Sequence, residues 1–115
     1  MGYKLPNLPI REENSNKGTF GKILNVSGSE YMTGAALLSS VAALRIGAGF
    51  VELASHENAL KAVSYQAPEV VLATLSKISN IIINSTVLLI GCGLSISKET
   101  ENIFQNTSKL AIEMN

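Results

Sequence analysis

Few residues in this sequence can do side-chain chemistry, because it holds one cysteine, one histidine and no aspartate. Cys92 sits in Gly91-Cys92-Gly93, where a thiolate could react. A cysteine at a strand end reads first as a small, buried apolar residue. His56 lies beside Glu57 and could act as a general base, but the sequence offers it no nucleophile partner. It reads as a surface histidine near a helix start. With this set no metal cage is expected from the chain. No catalytic side chain is assigned.

Backbone groups are the better candidates. Gly34 to Ile46 reads as a helix with Thr33 as its N-cap, and it carries no charge until Arg45. The first reading is a central helix packed on a sheet. Its first turn nevertheless presents N–H groups at Gly34, Ala35 and Ala36 that lack intrahelical acceptors and can hold an anion or a polar ligand group. Ala35, Ser39, Ala43 and Gly47, spaced by four, form a small-residue ridge along which another backbone can come close. Lys17-Gly18-Thr19-Phe20-Gly21-Lys22 could meet phosphates, although an exposed entry loop has the same composition. Gly91-Cys92-Gly93 is followed by Leu94-Ser95-Ile96, so it is no dinucleotide fingerprint, and no Walker A loop occurs.

The elements that must position these groups follow from apolar runs. Ile23 to Val26, Phe50 to Ala54 and Val87 to Ile90 read as strands, with Val70 to Ala73 a weaker one. Between them, helices are expected over 34–46 and 57–65, and a last one over 97–108 or beyond. Residues 78–84 fit either a strand or a loop with a short helix. Continuously apolar strands belong to sheets covered on both faces. Alternation with helices indicates a parallel α/β sheet, whose ligands bind beyond the carboxyl ends of the strands. The turns after Val26 and after Ile90 fall there. Glu52 and Glu69 read as structural or solvated.

Composition narrows the class further. The chain has 115 residues, 46% hydrophobic and 16% charged, with nine basic against nine acidic side chains. That balance suits one folded domain and argues against a nucleic-acid or anionic-membrane surface. The lone cysteine suits a reducing compartment, no membrane span is expected, and cytoplasmic is the expected location.

Taken in order, the segments carry a resemblance. Asn16-Lys-Gly-Thr-Phe-Gly-Lys22, Leu24-Asn-Val-Ser-Gly-Ser29, Met32-Thr-Gly-Ala-Ala-Leu-Leu38 and Ala42-Ala-Leu-Arg-Ile-Gly-Ala-Gly-Phe-Val51 closely resemble the NAD(P)H-hydrate dehydratase family. Gly91-Cys92-Gly93-Leu94 falls where that family has Gly-Pro-Gly-Leu, with Cys92 in place of proline. The resemblance implies a ribokinase-like α/β fold, a three-layer parallel sheet flanked by helices. Residues 1–16 are then a polar lead-in, and 17–115 the N-terminal part of a truncated dehydratase domain.

The implied reaction is dehydration of hydrated NADH or NADPH, driven by ADP or ATP with Mg²⁺. Phosphorylation turns the ring hydroxyl into a leaving group, and loss of phosphate restores the reduced cofactor. Carried over by position, Ala35 and Gly93 would line the hydrated-cofactor site. The family's catalytic aspartate lies in a later Gly-Thr-Gly-Asp turn, and its adenine-nucleotide loop also lies later. Neither is present here, so the fragment alone is expected to be inactive.

Two other readings stand beside it. One is a non-catalytic nucleotide-binding or scaffold half that pairs with a separately encoded second half. The other, phosphorylation of a sugar or vitamin, fits Met32 to Phe50 less well. The family tends to form homo-oligomers. Val87 to Ile90 is expected to expose a sheet edge, which invites oligomerisation or aggregation.

Overall fold

The structure is a computed structural model that describes residue 6 and residues 21–114. The expected lead-in over 1–16, apart from Pro6, and the loop residues 17–20 lie outside the described residues.

Among the described residues, four strands and four α-helices alternate: β1 (Lys22–Val26), α1 (Thr33–Ile46), β2 (Phe50–Ser55), α2 (Glu57–Gln66), β3 (Val71–Thr74), α3 (Ile78–Ile81), β4 (Val87–Ile90) and α4 (Lys98–Glu113). The strands form one sheet in the order β3-β2-β1-β4, and all three pairings are parallel. Asn25, at the centre of β1, stands opposite Leu53 on one side and Leu89 on the other. Helices cover both faces. This is the three-layer parallel α/β arrangement the sequence predicts.

Alternation along the strands sends neighbours to opposite faces. Val51 and Leu53 of β2 pack with Ala36 and Ala43 of α1 and with Ala59 and Val63 of α2. Leu24 and Val26 of β1, with Ala54, face the other way and pack with Ile78, Ile81, Ile82 and Leu94, against which Ile103 and Leu110 of α4 also lie. Leu24 and Leu53 are fully buried, so truncating either to alanine costs about 2–5 kcal/mol.

The local signals explain most boundaries. Gly47 ends α1 in the left-handed region at φ 116°, its N–H reaching the Ala43 and Leu44 carbonyls. α2 stops at Gln66, with Ala67 as C-cap immediately before Pro68. β3 starts one residue later than expected, after the buried Val70. The undecided stretch 78–84 is helical, a single α turn followed by a 3₁₀ turn at Ile82–Asn84. Its buried residues are Ile78, Ile81 and Ile82, a helical spacing.

Two expectations are corrected. Thr33 is the first residue of α1; Met32 holds the N-cap position and no side chain caps that turn. Cys92 is exposed. It lies between Gly91 at φ 127° and Gly93 at φ 66°, and this turn carries its side chain away from the core.

Candidate functional site

The strand order reverses beside β1, since β2 pairs on one side of it and β4 on the other. In an open α/β sheet, the crevice at such a reversal is where ligands bind, outside the carboxyl ends of the strands. Here those ends are Ser27-Gly28 after β1 and Gly91-Cys92-Gly93 after β4. The two turns touch, because the Gly28 N–H donates to the Cys92 carbonyl at 2.7 Å.

The first turn of α1 packs into this junction. A Cβ placed on Gly93 would lie 2.5 Å from the Ala35 Cβ and 3.3 Å from the Met32 carbonyl oxygen. Only a residue without a side chain fits at 93 while the helix start sits so close. The structure thus brings Ala35 and Gly93, half-buried and 58 positions apart in sequence, into direct proximity. Of the small-residue ridge, Ala35 is the member that meets the Gly93 turn. Beside them Gly34 is exposed, with open space where a Cβ would stand. No side chain caps this turn and none in it is acidic, so no capping side chain occupies its N–H groups.

Buried polar groups hold the helix start in place. Asn25, fully buried in β1, donates from Nδ2 to Ser39 Oγ at 2.9 Å and to Ser40 Oγ at 3.0 Å. Ser39 Oγ donates in turn to the Ala35 carbonyl at 2.7 Å and lies 3.2 Å from Ser27 Oγ. Ser55 Oγ donates to the Ser27 carbonyl at 2.5 Å. One chain of bonds therefore runs from the second strand through the first to the carbonyl of Ala35. Sequence reasoning missed this network. Its signal was Asn25, a polar residue within the aliphatic run Ile23-Leu24-Asn25-Val26.

On the other side of the junction, toward α4, lies a cleft of about 190 Å³. Gly28, Ser29, Glu30, His56 and Leu75 line it from the strand ends, and Leu94, Ser95, Ser97, Glu99, Thr100 and Ile103 from the start of α4. His56 is exposed and caps α2, its Nδ1 accepting from the Asn58 N–H at 3.1 Å. That bond places the proton of the neutral ring on Nε2. Ser95 is the one non-glycine at positive φ among the described residues, at 72°. Ser97 caps α4 by accepting from the Thr100 N–H at 3.0 Å.

The remaining candidates fall elsewhere. Lys22 starts β1, at the end of the sheet opposite these turns, and its Nζ pairs with Glu52 Oε1 at 3.0 Å. Glu52 is therefore structural, and Glu69 is exposed, as expected of both. Among the described residues, no three of His, Cys, Asp and Glu are grouped to hold a metal ion. Nor is any described helix long and apolar enough to cross a membrane.

Comparison with known proteins adds the lineage. A protein-family model described as NAD(P)H-hydrate dehydratase matches residues 23–111. The chain belongs to the NAD(P)H-hydrate dehydratase family. It is 31% identical over 99 residues to the ADP-dependent (S)-NAD(P)H-hydrate dehydratase of Staphylococcus aureus, covering 84% of this chain and 36% of that one. Among solved structures, the ADP/ATP-dependent NAD(P)H-hydrate dehydratase of Bacillus subtilis co-crystallized with ATP/Mg²⁺ superimposes with a TM-score of 0.73 at 30% identity, covering 85% of this chain and 37% of that one. A ribokinase-like superfamily protein of Enterococcus faecalis, 22% identical, shares the fold with a TM-score of 0.83 over 88% of this chain and 37% of its own. The chain spans little more than a third of the length of the two dehydratases it matches.

Proposed function

We propose that this chain carries the hydrated-cofactor side of an ADP/ATP-dependent NAD(P)H-hydrate dehydratase. The observation that supports it is the approach of Gly93 to Ala35 at an uncapped helix start. These are the two positions that the family resemblance assigns to the hydrated cofactor. Both act through small size and backbone. Ala35 and Gly93 bring the turn and the helix start together beside the open space at Gly34, and the N–H groups of the first α1 turn are donors for the ligand's polar substituents.

No Mg²⁺ ligand is assigned among the described residues. They hold no group of three candidate ligands, and the sequence has no aspartate to add. What this chain's residues do in the reading is bind and orient the hydrated nicotinamide. The Asn25–Ser39–Ala35 bonds keep the helix start at a fixed distance from the Gly93 turn.

Calorimetric titration of the 115-residue chain with hydrated NADH tests the reading. Binding is expected, and Ala35→Leu is expected to weaken it at least about tenfold, the effect of filling a space the ligand needs. Absence of binding to a folded chain, or binding indifferent to Ala35→Leu, overturns it. Supplying hydrated NADH, Mg²⁺ and ADP or ATP, and following the return of reduced-nicotinamide absorbance, reads turnover. None is expected from this chain alone.

A second reading is a non-catalytic half that pairs with a separately encoded one. It is favoured by β4, an edge strand without a charged side chain. Co-purification with such a half, and turnover only in the pair, would support it. Turnover by the isolated chain would overturn it.

A further inference from the structure

The start of α1 is the weak end of that helix. Met32 holds the cap position without a capping side chain, and Gly34 stands in the first turn. A missing cap and an early glycine both favour fraying. Yet this turn lies so close to Gly93 that a Cβ there would meet the Ala35 Cβ at 2.5 Å. A contact that tight needs a fixed helix start.

Ser39 supplies the hold from one turn inside the helix. Its Oγ donates to the Ala35 carbonyl at 2.7 Å, and the Ala36 carbonyl is 3.3 Å away. A hydroxyl has one proton and two lone pairs. With the proton spent on Ala35, the lone pairs accept from Asn25 Nδ2 at 2.9 Å and from Ser27 Oγ at 3.2 Å. Both of those residues are fully buried. Every bonding site of Ser39 is therefore used, and its direction is fixed from the sheet toward the first turn. Ser40 differs. It accepts from the same Nδ2 at 3.0 Å, but among the described residues its Oγ makes no bond to the first turn.

Core volume does not call for this arrangement. An amide inside an aliphatic strand runs against the local pattern, and a serine bonded back to residue i−4 weakens a helix relative to alanine. Residues set against the local pattern mark places where geometry is needed.

We propose that Ser39 is a positioning residue of the ligand site: gripped by Asn25 and Ser27, it holds the Ala35 carbonyl and fixes the start of α1 against the Gly93 turn, and this sets how tightly the hydrated cofactor binds. The statement about the ligand rests on the dehydratase reading; the hold on the helix does not.

Two measurements on the 115-residue chain test it, with Ser39→Ala and Ser40→Ala as the variants. Both serines sit in a helix rich in alanine, so either variant keeps the fold. The first measurement needs no ligand. Gly93→Ala is introduced into the wild type and into each variant, and the folding constant is read by urea unfolding. A braced helix start resists the new methyl group and a released one yields. Gly93→Ala is therefore expected to lower the constant about tenfold less in the Ser39→Ala background. Ser40→Ala is expected to leave its effect unchanged. The second is calorimetric titration with hydrated NADH, where Ser39→Ala is expected to weaken binding about tenfold and Ser40→Ala to leave it unchanged.

An equal effect of Gly93→Ala in all three backgrounds overturns the proposal, as do equal changes from Ser39→Ala and Ser40→Ala. So does binding indifferent to Ser39→Ala. A folded wild-type chain that binds no hydrated NADH overturns the dehydratase reading instead, and the urea comparison then decides the hold on α1 by itself.

Discussion

The N–H of Gly28 donates to the carbonyl of Cys92 at 2.7 Å, and this one bond joins the ends of β1 and β4. It depends on the glycine. Gly28 has φ 77°, and a Cβ there would lie 2.8 Å from the Ala36 Cβ and 3.0 Å from Ser55 Oγ. Gly28→Ala is expected to destabilise the fold by about 2–4 kcal/mol, combining left-handed strain of ~1 kcal/mol with overpacking of ~1–3 kcal/mol. The shift of the urea midpoint at unchanged slope measures it.

Gly93 and Ala35 are expected to be coupled. Gly93→Ala forces two methyl groups to 2.5 Å at a φ of 66° and should cost about 2–3 kcal/mol. Adding Ala35→Gly removes the clash and leaves the strain, so the double variant should recover about 1–2 kcal/mol relative to additivity. A double-mutant cycle by urea unfolding reads the coupling; strict additivity would mean that the turn shifts away from the helix.

Asn25 supplies a test of the buried network. Its Nδ2 serves two serines, and its Oδ1 has no partner among the described residues. Asn25→Asp buries a charge there and should cost about 3–5 kcal/mol at neutral pH. Asn25→Leu removes the orphan acceptor along with the two bonds, and should cost only about 1–2 kcal/mol. Equal losses in thermal unfolding would show that bulk, not polarity, matters at this site.

β4 carries the prediction about assembly. It lies at the sheet edge with Val87, Leu88, Leu89 and Ile90 and no charge, and Val87 is 51% exposed. Such an edge pairs with other chains. At tens of micromolar, roughly where exposed edges cause trouble, sedimentation velocity on the 115-residue chain should show oligomers. Val87→Lys should shift it toward monomer. A clean wild-type monomer would refute the prediction.

What the sequence makes legible depends on whether one segment or two decide the outcome. Val87 to Ile90 is readable as a strand because four aliphatics in a row stop at a glycine turn, a run too short for a helix. Ile78, Ile81 and Ile82 carry a helical spacing too, but a segment this short also satisfies strand patterning, and packing against α4 decides. The exposure of Cys92 follows from two left-handed glycines whose φ values no pattern reveals. Thr33 has the right chemistry for an N-cap, yet Met32 occupies the position. Ala35 and Gly93 come together through the parallel pairing of β1 with β4, whereas the cleft around Glu30, His56 and Glu99 gathers residues from four separate turns with no local motif.

The place of β1 between β2 and β4 has a consequence for the order of events in folding. Its pairing with β2 closes across one helix, while its pairing with β4 begins at Ile23 opposite Val87, with β2, α2, β3 and α3 also between. Loop closure over that distance is entropically slower, so long-range parallel pairing forms late. The Gly28–Cys92 bond and the Ala35–Gly93 approach both wait for β4. The ligand crevice is therefore expected to be the last part of the domain to close and, under native-state hydrogen exchange, among the first to open.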